Sequence, residues 1–300
     1  MAKEKHLIVI VGPTAIGKTS LSIKLAKHFN CPVLSADSRQ FFKEIAIGTA
    51  KPSEEEMDGV PHYFIDSLSI QEDYNVGKFE EDALIILQEI FLSNDYAIMV
   101  GGSGLYVDAV CKGIDDIPKD DQTRKQLMYE LEKNGISTLQ EELKLLDPEH
   151  YDNMNIHNPH RLVRALEVCR STGRTYTSFR KNQVKDRPFE IHKIGLNADR
   201  ELVYENINQR VDLMMKNGLL EEVRSVYPFK DFNSLNTVGY KELFKYIDGT
   251  YSLEEAVELI KKNTRNFAKR QMTWFKRDKE TMWFEPPTPL MEIINSIESS

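Results

Sequence analysis

The sequence predicts an α/β fold: a parallel sheet with helices on both faces and an all-helical subdomain inserted into it. Three observations carry this reading. Short apolar runs alternate with helix-length amphipathic segments before residue 120, the pattern of a parallel sheet covered on both sides. Three helical patterns with no strand between them then occupy 120–189. The apolar-run pattern resumes at Ile191, so the sheet domain is assigned to 1–119 and 190–300 and the helical insertion to 120–189.

Taken in order, HLIVIV (His6–Val11) is compact, rich in β-branched residues and stopped by Gly12, which reads as a central strand. SLSIKLAKHF follows as an amphipathic helix. Further strands are read at PVLSAD, HYFIDS (His62–Ser67), YAIMVGGS (Tyr96–Ser103) and IHKIGLN (Ile191–Asn197). VGKFEEDALIILQEIFL, between HYFIDS and YAIMVGGS, has helical length and pattern. In the insertion, DQTRKQLMYELEKNG has Asp121 at its N-cap and Gly135 at its stop. STLQEELKLLDPEH is a second helix stopped by Pro148. NPHRLVRALEVCRSTG is a third, with Asn158 as cap, Pro159 in the first turn and Gly173 at the stop. Near the C-terminus, SLEEAVELIKKNTRNFAKRQMTWFKR opens with a Ser252–Glu255 capping box. Ala256, Ile260, Phe267 and Trp274 share one face of it; Lys262, Arg265, Lys269 and Lys276 share the opposite face.

Composition narrows the class. The chain has 300 residues, 41% hydrophobic and 29% charged, with net charge −8. It is no polycation, so a nucleic-acid surface would have to be local. Cys31, Cys111 and Cys169 are far apart, with no CxxC and no His pair at zinc spacing; neither a disulfide scaffold nor a zinc module is expected. The N-terminal apolar run ends at Gly12-Pro13, too short for a signal peptide or a membrane span. A cytoplasmic monomer is expected.

GPTAIGKT matches G-x-x-x-x-G-K-[ST] in full, after a strand and before a helix. Gly12, Pro13, Thr14, Ala15, Ile16 and Gly17 form a loop whose backbone N–H groups converge on an anion. Lys18 adds a point charge, and Thr19 can hold Mg²⁺ bridging phosphate oxygens. The signal specifies a di- or triphosphate, ATP included, without saying which. Asp66, at the end of HYFID, is a candidate second metal carboxylate. YAIMV ends instead in Gly101-Gly102-Ser103-Gly104, either a site where a ligand approaches the backbone or a plain strand-to-helix turn. PVLSAD runs into Asp37, Ser38, Arg39 and Gln40, four hydrogen-bonding side chains in a row at a strand end.

Two basic segments stand out in this acidic chain. Lys261–Arg277 holds seven basic residues and no acidic one, and His160–Lys185 holds seven and a single Glu167. Two readings of these residues stand beside the one that the resemblance below implies. One is a small-molecule or nucleotide kinase, with Asp37 as base for a hydroxyl and the insertion arginines on phosphates. The other is a non-catalytic RNA-binding P-loop protein.

GPTAIGKT, SADSRQFF, IGTAKP (Ile47–Pro52), PHYFID, VGGSGLY, NPHRLVRALEV, TVGYKE (Thr237–Glu242) and TRNFAKRQMTWF together resemble the bacterial tRNA dimethylallyltransferases, from residue 12 to 275. The resemblance implies a P-loop NTPase-like core with a helical insertion. It also implies transfer of a dimethylallyl group from dimethylallyl diphosphate to the exocyclic amine of the adenosine 3′ to a tRNA anticodon. In that family pattern the P-loop holds the diphosphate, and Asp37, Lys18 and Ser103 serve the chemistry. Ser38, Arg39, Gln40 and Ser103 contact the extruded nucleotide. Arg161, Leu162, Val163, Arg164 and Ala165 match an RNA-contacting stretch of the insertion; Asn236, Gly239, Tyr240 and Lys241 match another in the core. Arg265 and Lys269 lie in the matching basic helix, and either Arg124 or Lys125 fills the RNA-contacting position after Pro118. The chain departs from the pattern at Ser103, where threonine is usual, at Phe42, where tyrosine is common, and at Asn236, where arginine is frequent.

Overall fold

The computed structural model describes residues 4–181 and 183–299. Its strands are β1 (His6–Val11), β2 (Val33–Ser35), β3 (His62–Tyr63), β4 (Tyr96–Val100), β5 (Glu190–Leu196) and β6 (Met282–Phe284). They form one sheet in the order β3-β2-β4-β1-β5-β6, with every pairing parallel. β1 lies between β4 and β5, and its alternate residues feed two cores. Leu7, Val9 and Val11 pack with Leu34, Phe79 and Met99. Ile8 and Ile10 pack with Leu25, Ile98 and Ile194. Helices cover both faces, which is why the run is apolar throughout rather than alternating. Each of these buried side chains contributes about 1.5–3 kcal/mol.

Two strands differ from expectation. HYFIDS yields only the two residues of β3, because the chain turns at Phe64 and Asp66, both with positive φ (64° and 51°). β6 pairs with β5 through Ile194↔Met282. Its three half-buried residues make no apolar run for a sequence pattern to register.

The chain separates into two compact units: Met1–Cys111 with Asp186–Ser300, and Lys112–Lys185. The helical unit thus begins before residue 120 and ends before 189. Its extended flank belongs to it by hydrogen bonding. Arg164 Nη2 donates to Ile117 O at 2.9 Å, Asp120 N to Glu167 Oε1 at 3.0 Å, and Lys185 N to Lys112 O at 2.8 Å. The first helix, Asp121–Asn134, is capped by Asp120 rather than Asp121, through Thr123 N at 2.6 Å. Pro148 ends nothing by itself: Ile136–Leu146 stops at Asp147, and Pro148 opens a short helix, Pro148–Asn153, as N-terminal prolines do. Asn158 caps Pro159–Thr172 through Arg161 N, and Gly173 closes it at φ 68°. Leu127, Leu139, Leu143, Leu162, Val163, Ala165, Leu166 and Cys169 form this unit's core.

In the α/β unit the long helix Leu253–Phe275 starts at the expected capping box. Among the described residues, no helix is long and apolar enough to cross a membrane.

Candidate active site

The loops after β1, β2 and β4 emerge side by side, because these strands are neighbours at their C-terminal ends. That is where open α/β sheets bind ligands. The loop after β1 curls through Gly12 (φ 145°), Ala15 (φ 65°) and Gly17 (φ 97°). A side chain at Gly12 would come 2.6 Å from Leu196 O. Gly17 is the N-cap of the helix Lys18–Phe29 and provides no side-chain cap bond. First-turn N–H groups and the positive helix end are therefore left for an anion. Lys18 Nζ donates to Pro13 O at 2.8 Å, inside the loop. Burial pulls its pKa down to about 8, with the Asp37 carboxylate opposing and Arg210 assisting. Thr14 to Thr19 line a cleft of about 550 Å³.

A second cleft of about 340 Å³ is lined by Ser38, Arg39, Ser103, Asn236, Gly239 and Lys241 among others. Thr14, Asp37 and Arg210 line both clefts. Asp37 thus stands where the cleft at the loop after β1 meets the second one. Burial raises its carboxyl above the usual range, against the Arg39 N–H at 3.0 Å and the charges of Lys18 and Arg39. A carboxylate with a raised pKa is the better proton acceptor near neutral pH. Ser103 Oγ accepts from Ser38 N at 3.1 Å and pairs with the Ser38 hydroxyl at 3.2 Å, which fixes the loops after β2 and β4 together. Arg39 Nη1 donates to Asn233 O and Ser234 O, both at 3.0 Å.

Several sequence expectations are corrected. Gln40 is engaged as a strut: it accepts from Ser35 Oγ at 2.9 Å and donates to Thr49 O and Ala50 O. Its amide holds the IGTAKP loop instead of facing the second cleft. Tyr240 is fully buried, and its hydroxyl donates to Glu222 at 2.6 Å, so it offers no surface to RNA. Leu162, Val163 and Ala165 are equally buried in the helical core; their side chains cannot contact RNA directly. Asp66 is ion-paired with Lys51 and lies outside the phosphate cleft, so it is no metal carboxylate for that cleft. Gly101 and Gly102 border the phosphate cleft while packing closely against protein on the other side. A side chain at Gly101 would lie 2.3 Å from Ala36 O, and one at Gly102 2.1 Å from Gln271 Nε2. Phe42 is buried in an apolar cluster with Ile45 and Ile70.

The remaining predicted residues divide. Asn236, Gly239 and Lys241 border the second cleft. Arg265 is tied to Asn208 Oδ1 at 2.6 Å, while Lys269 is exposed. In the helical unit Arg161 is exposed, and Arg164 donates to the fully buried Glu167 at 2.7 Å. Arg124 lies 3.8 Å from the same carboxylate, whereas Lys125 is exposed.

Other residues at the clefts had no role assigned from the sequence. Arg210, on the helix Arg200–Lys216, reaches Thr14 Oγ1 at 3.3 Å. Gln271 is buried and joins two loops: it accepts from Thr14 N at 2.9 Å and donates to Gly102 O at 3.0 Å. Arg270 lines the second cleft beside Phe267. Glu222 accepts from Ala46 N, Ile47 N and Gly48 N at 2.8–2.9 Å, clamping the IGTAKP loop. Arg270 and Gln271 lie in the motif KRQMTWF, whose spacing does not reveal which way their side chains turn.

Residues 40–278 match the family model of the IPP transferases. The chain belongs to this family. It is 54% identical to a tRNA dimethylallyltransferase of Christiangramia forsetii over 295 residues, covering 98% of each chain. It is 51% identical to tRNA dimethylallyltransferase 1 of Phocaeicola vulgatus, covering 97% of this chain and 98% of the relative. Among solved structures it is similar to the full-length tRNA isopentenylpyrophosphate transferase of Bacillus halodurans, with TM-score 0.73 and 38% identity over 99% of this chain and 96% of that one. It is also similar to a eukaryotic dimethylallyltransferase acting on tRNA, with TM-score 0.76 and 25% identity over 94% of this chain and 74% of that one. The P-loop α/β core is thus the fold of a family of tRNA-prenylating transferases.

Proposed function

We propose that this chain transfers a dimethylallyl group from dimethylallyl diphosphate to the exocyclic amine of the adenosine 3′ to a tRNA anticodon. Family membership supports the tRNA prenyltransferase class. The position of Asp37 at the junction of the two clefts supports the division of labour. The diphosphate lies against the Gly12–Gly17 loop amides, Lys18 and Arg210, and the extruded base enters from the second cleft.

The C–O bond to the diphosphate breaks and a C–N bond forms to the amine. Negative charge grows on the leaving oxygen, where the loop amides and Lys18 stabilise it. The amine loses a proton to the Asp37 carboxylate. Arg39 N–H, bonded to Asp37 Oδ1, orients that carboxylate. Ser38 and Ser103, joined to each other, border the base's side of the junction.

The donor set also suits Mg²⁺ carried by the diphosphate. Thr19 offers one neutral hydroxyl at the phosphate cleft, and among the described residues no set of three acidic or imidazole ligands converges there. An ion held mostly by phosphate oxygens and water fits that arrangement and supplies extra neutralisation of the leaving charge.

The test is incubation with radiolabelled dimethylallyl diphosphate, Mg²⁺ and unmodified tRNA, followed by nucleoside analysis. Label in the adenosine 3′ to the anticodon is expected. Unlabelled RNA together with robust ATP hydrolysis would overturn the reading in favour of a kinase-like enzyme.

A further inference from the structure

We propose a divalent-metal site formed by His6, Glu190 and His192, at the end of the sheet opposite the clefts. The parallel register sets His6 beside Glu190 and Ile8 beside His192. Residues two apart on a strand share a face. Glu190 and His192 therefore project on the same side of the sheet, with His6 of the neighbouring strand.

The distances define a ligand triangle. His6 Nδ1 lies 3.1 Å from His192 Nε2 and 3.4 Å from Glu190 Oε2, and His192 Nε2 lies 3.9 Å from that oxygen. Tetrahedral Zn²⁺ at about 2.0–2.2 Å from nitrogen and oxygen ligands sets those ligands about 3.3–3.5 Å apart. The three observed edges bracket that length, so small side-chain rotations bring all three atoms to bonding distance. Two imidazole nitrogens facing each other at 3.1 Å cannot both carry a proton in that contact, so a lone pair already points into the triangle.

The His6 ring is held before any ion arrives. It stacks on Tyr96 at 4.8 Å between centroids, and Tyr96 stacks on Phe29 at 4.3 Å. Pre-set imidazoles lose little entropy on ligation. Glu190 has a half-exposed side chain (48%), which leaves an open side for ion entry and for water as fourth ligand. Two imidazoles and one carboxylate suit a borderline first-row cation of the Zn²⁺ class better than Mg²⁺ or Ca²⁺.

His6 is separated by more than 180 positions from Glu190 and His192, so no sequence spacing announces the three together. The six residues of β1 at about 3.3 Å each set the site roughly 20 Å from Gly12. The ion acts as a staple between the starts of β1 and β5, remote from the transfer chemistry.

Full-length protein, stripped with a chelator, is titrated with Zn²⁺ by calorimetry and with Co²⁺ by visible absorption. One Zn²⁺ per chain, an upward shift of Tm with added Zn²⁺, and the absorption of low-coordinate cobalt are expected. His6→Asn and Glu190→Gln should each weaken Zn²⁺ affinity by at least about tenfold, with the metal-free Tm and the transfer activity retained. Absence of saturable Zn²⁺ binding by the parent protein, or undiminished binding in either variant, would leave only a hydrogen-bonded histidine pair and overturn the proposal.

Discussion

In the α/β unit Arg39 and Arg210 line the clefts with no ion-paired carboxylate among the described residues, whereas in the helical unit Arg164 and Arg170 are held by glutamates. Burial draws the pKa of Arg39 and of Arg210 downward. For Arg170 the direction reverses, because Glu142 and Glu130 favour its charged form. Its guanidinium makes four hydrogen bonds of 2.6–3.0 Å to these two carboxylates, joining three helices of the unit. Charge without a partner is costly in the empty protein and is available to an anionic ligand. Charge already paired contributes to folding and has little left for RNA. The arginines of the clefts and those of the helical unit therefore differ in kind.

The largest expected effect is at the phosphate loop. Lys18→Ala should lower kcat by roughly 10²–10³-fold, the usual consequence of losing one preorganised partner of the developing charge. The pH profile sharpens this. With its pKa lowered to about 8, Lys18 in the free enzyme loses its proton as pH rises through that value. Donor kcat/KM should therefore fall on the alkaline side with a midpoint near 8, and Lys18→Arg should remove that limb because guanidinium stays charged.

The arginine contrast is broken or upheld by a pair of variants. Arg210→Gln should weaken donor binding about tenfold or more with an unchanged unfolding midpoint. Arg170→Ala should do the reverse, lowering stability by about 1–3 kcal/mol in urea unfolding with donor binding intact. Equal effects of both on activity would remove the distinction.

The smallest effect concerns exposed charge. Lys269→Glu should weaken tRNA binding and flatten its salt dependence by about 0.7–0.9 in log–log slope per lost phosphate contact. Arg164→Glu is a poor probe of RNA contact, because it sets a second carboxylate against buried Glu167.

The sheet, the helical insertion and the phosphate loop were legible because each depends on local pattern: an apolar run, a cap, a glycine spacing. Five of the six strands lie in the predicted runs, and β6 escaped because three half-buried residues carry no period. The site was legible only in part. Asp37 and Ser103 stand at the clefts because they follow predicted strands directly. Tyr240, Leu162, Val163 and Ala165 were misjudged because a motif shows which residues belong together and not which way they face. Arg210 and Glu222 lie within helices whose sequence has no signature, and only tertiary packing brings them to the loops they hold. His6, Glu190 and His192 meet through strand register alone.

Single-turnover transfer by Asp37→Asn tests the central assignment most directly. Measured at saturating dimethylallyl diphosphate and tRNA, the rate should fall roughly 10²–10⁴-fold, while the affinities for donor and tRNA stay close to those of the parent protein. A single-turnover rate equal to the parent's would contradict the placement of Asp37 as acceptor of the amine proton.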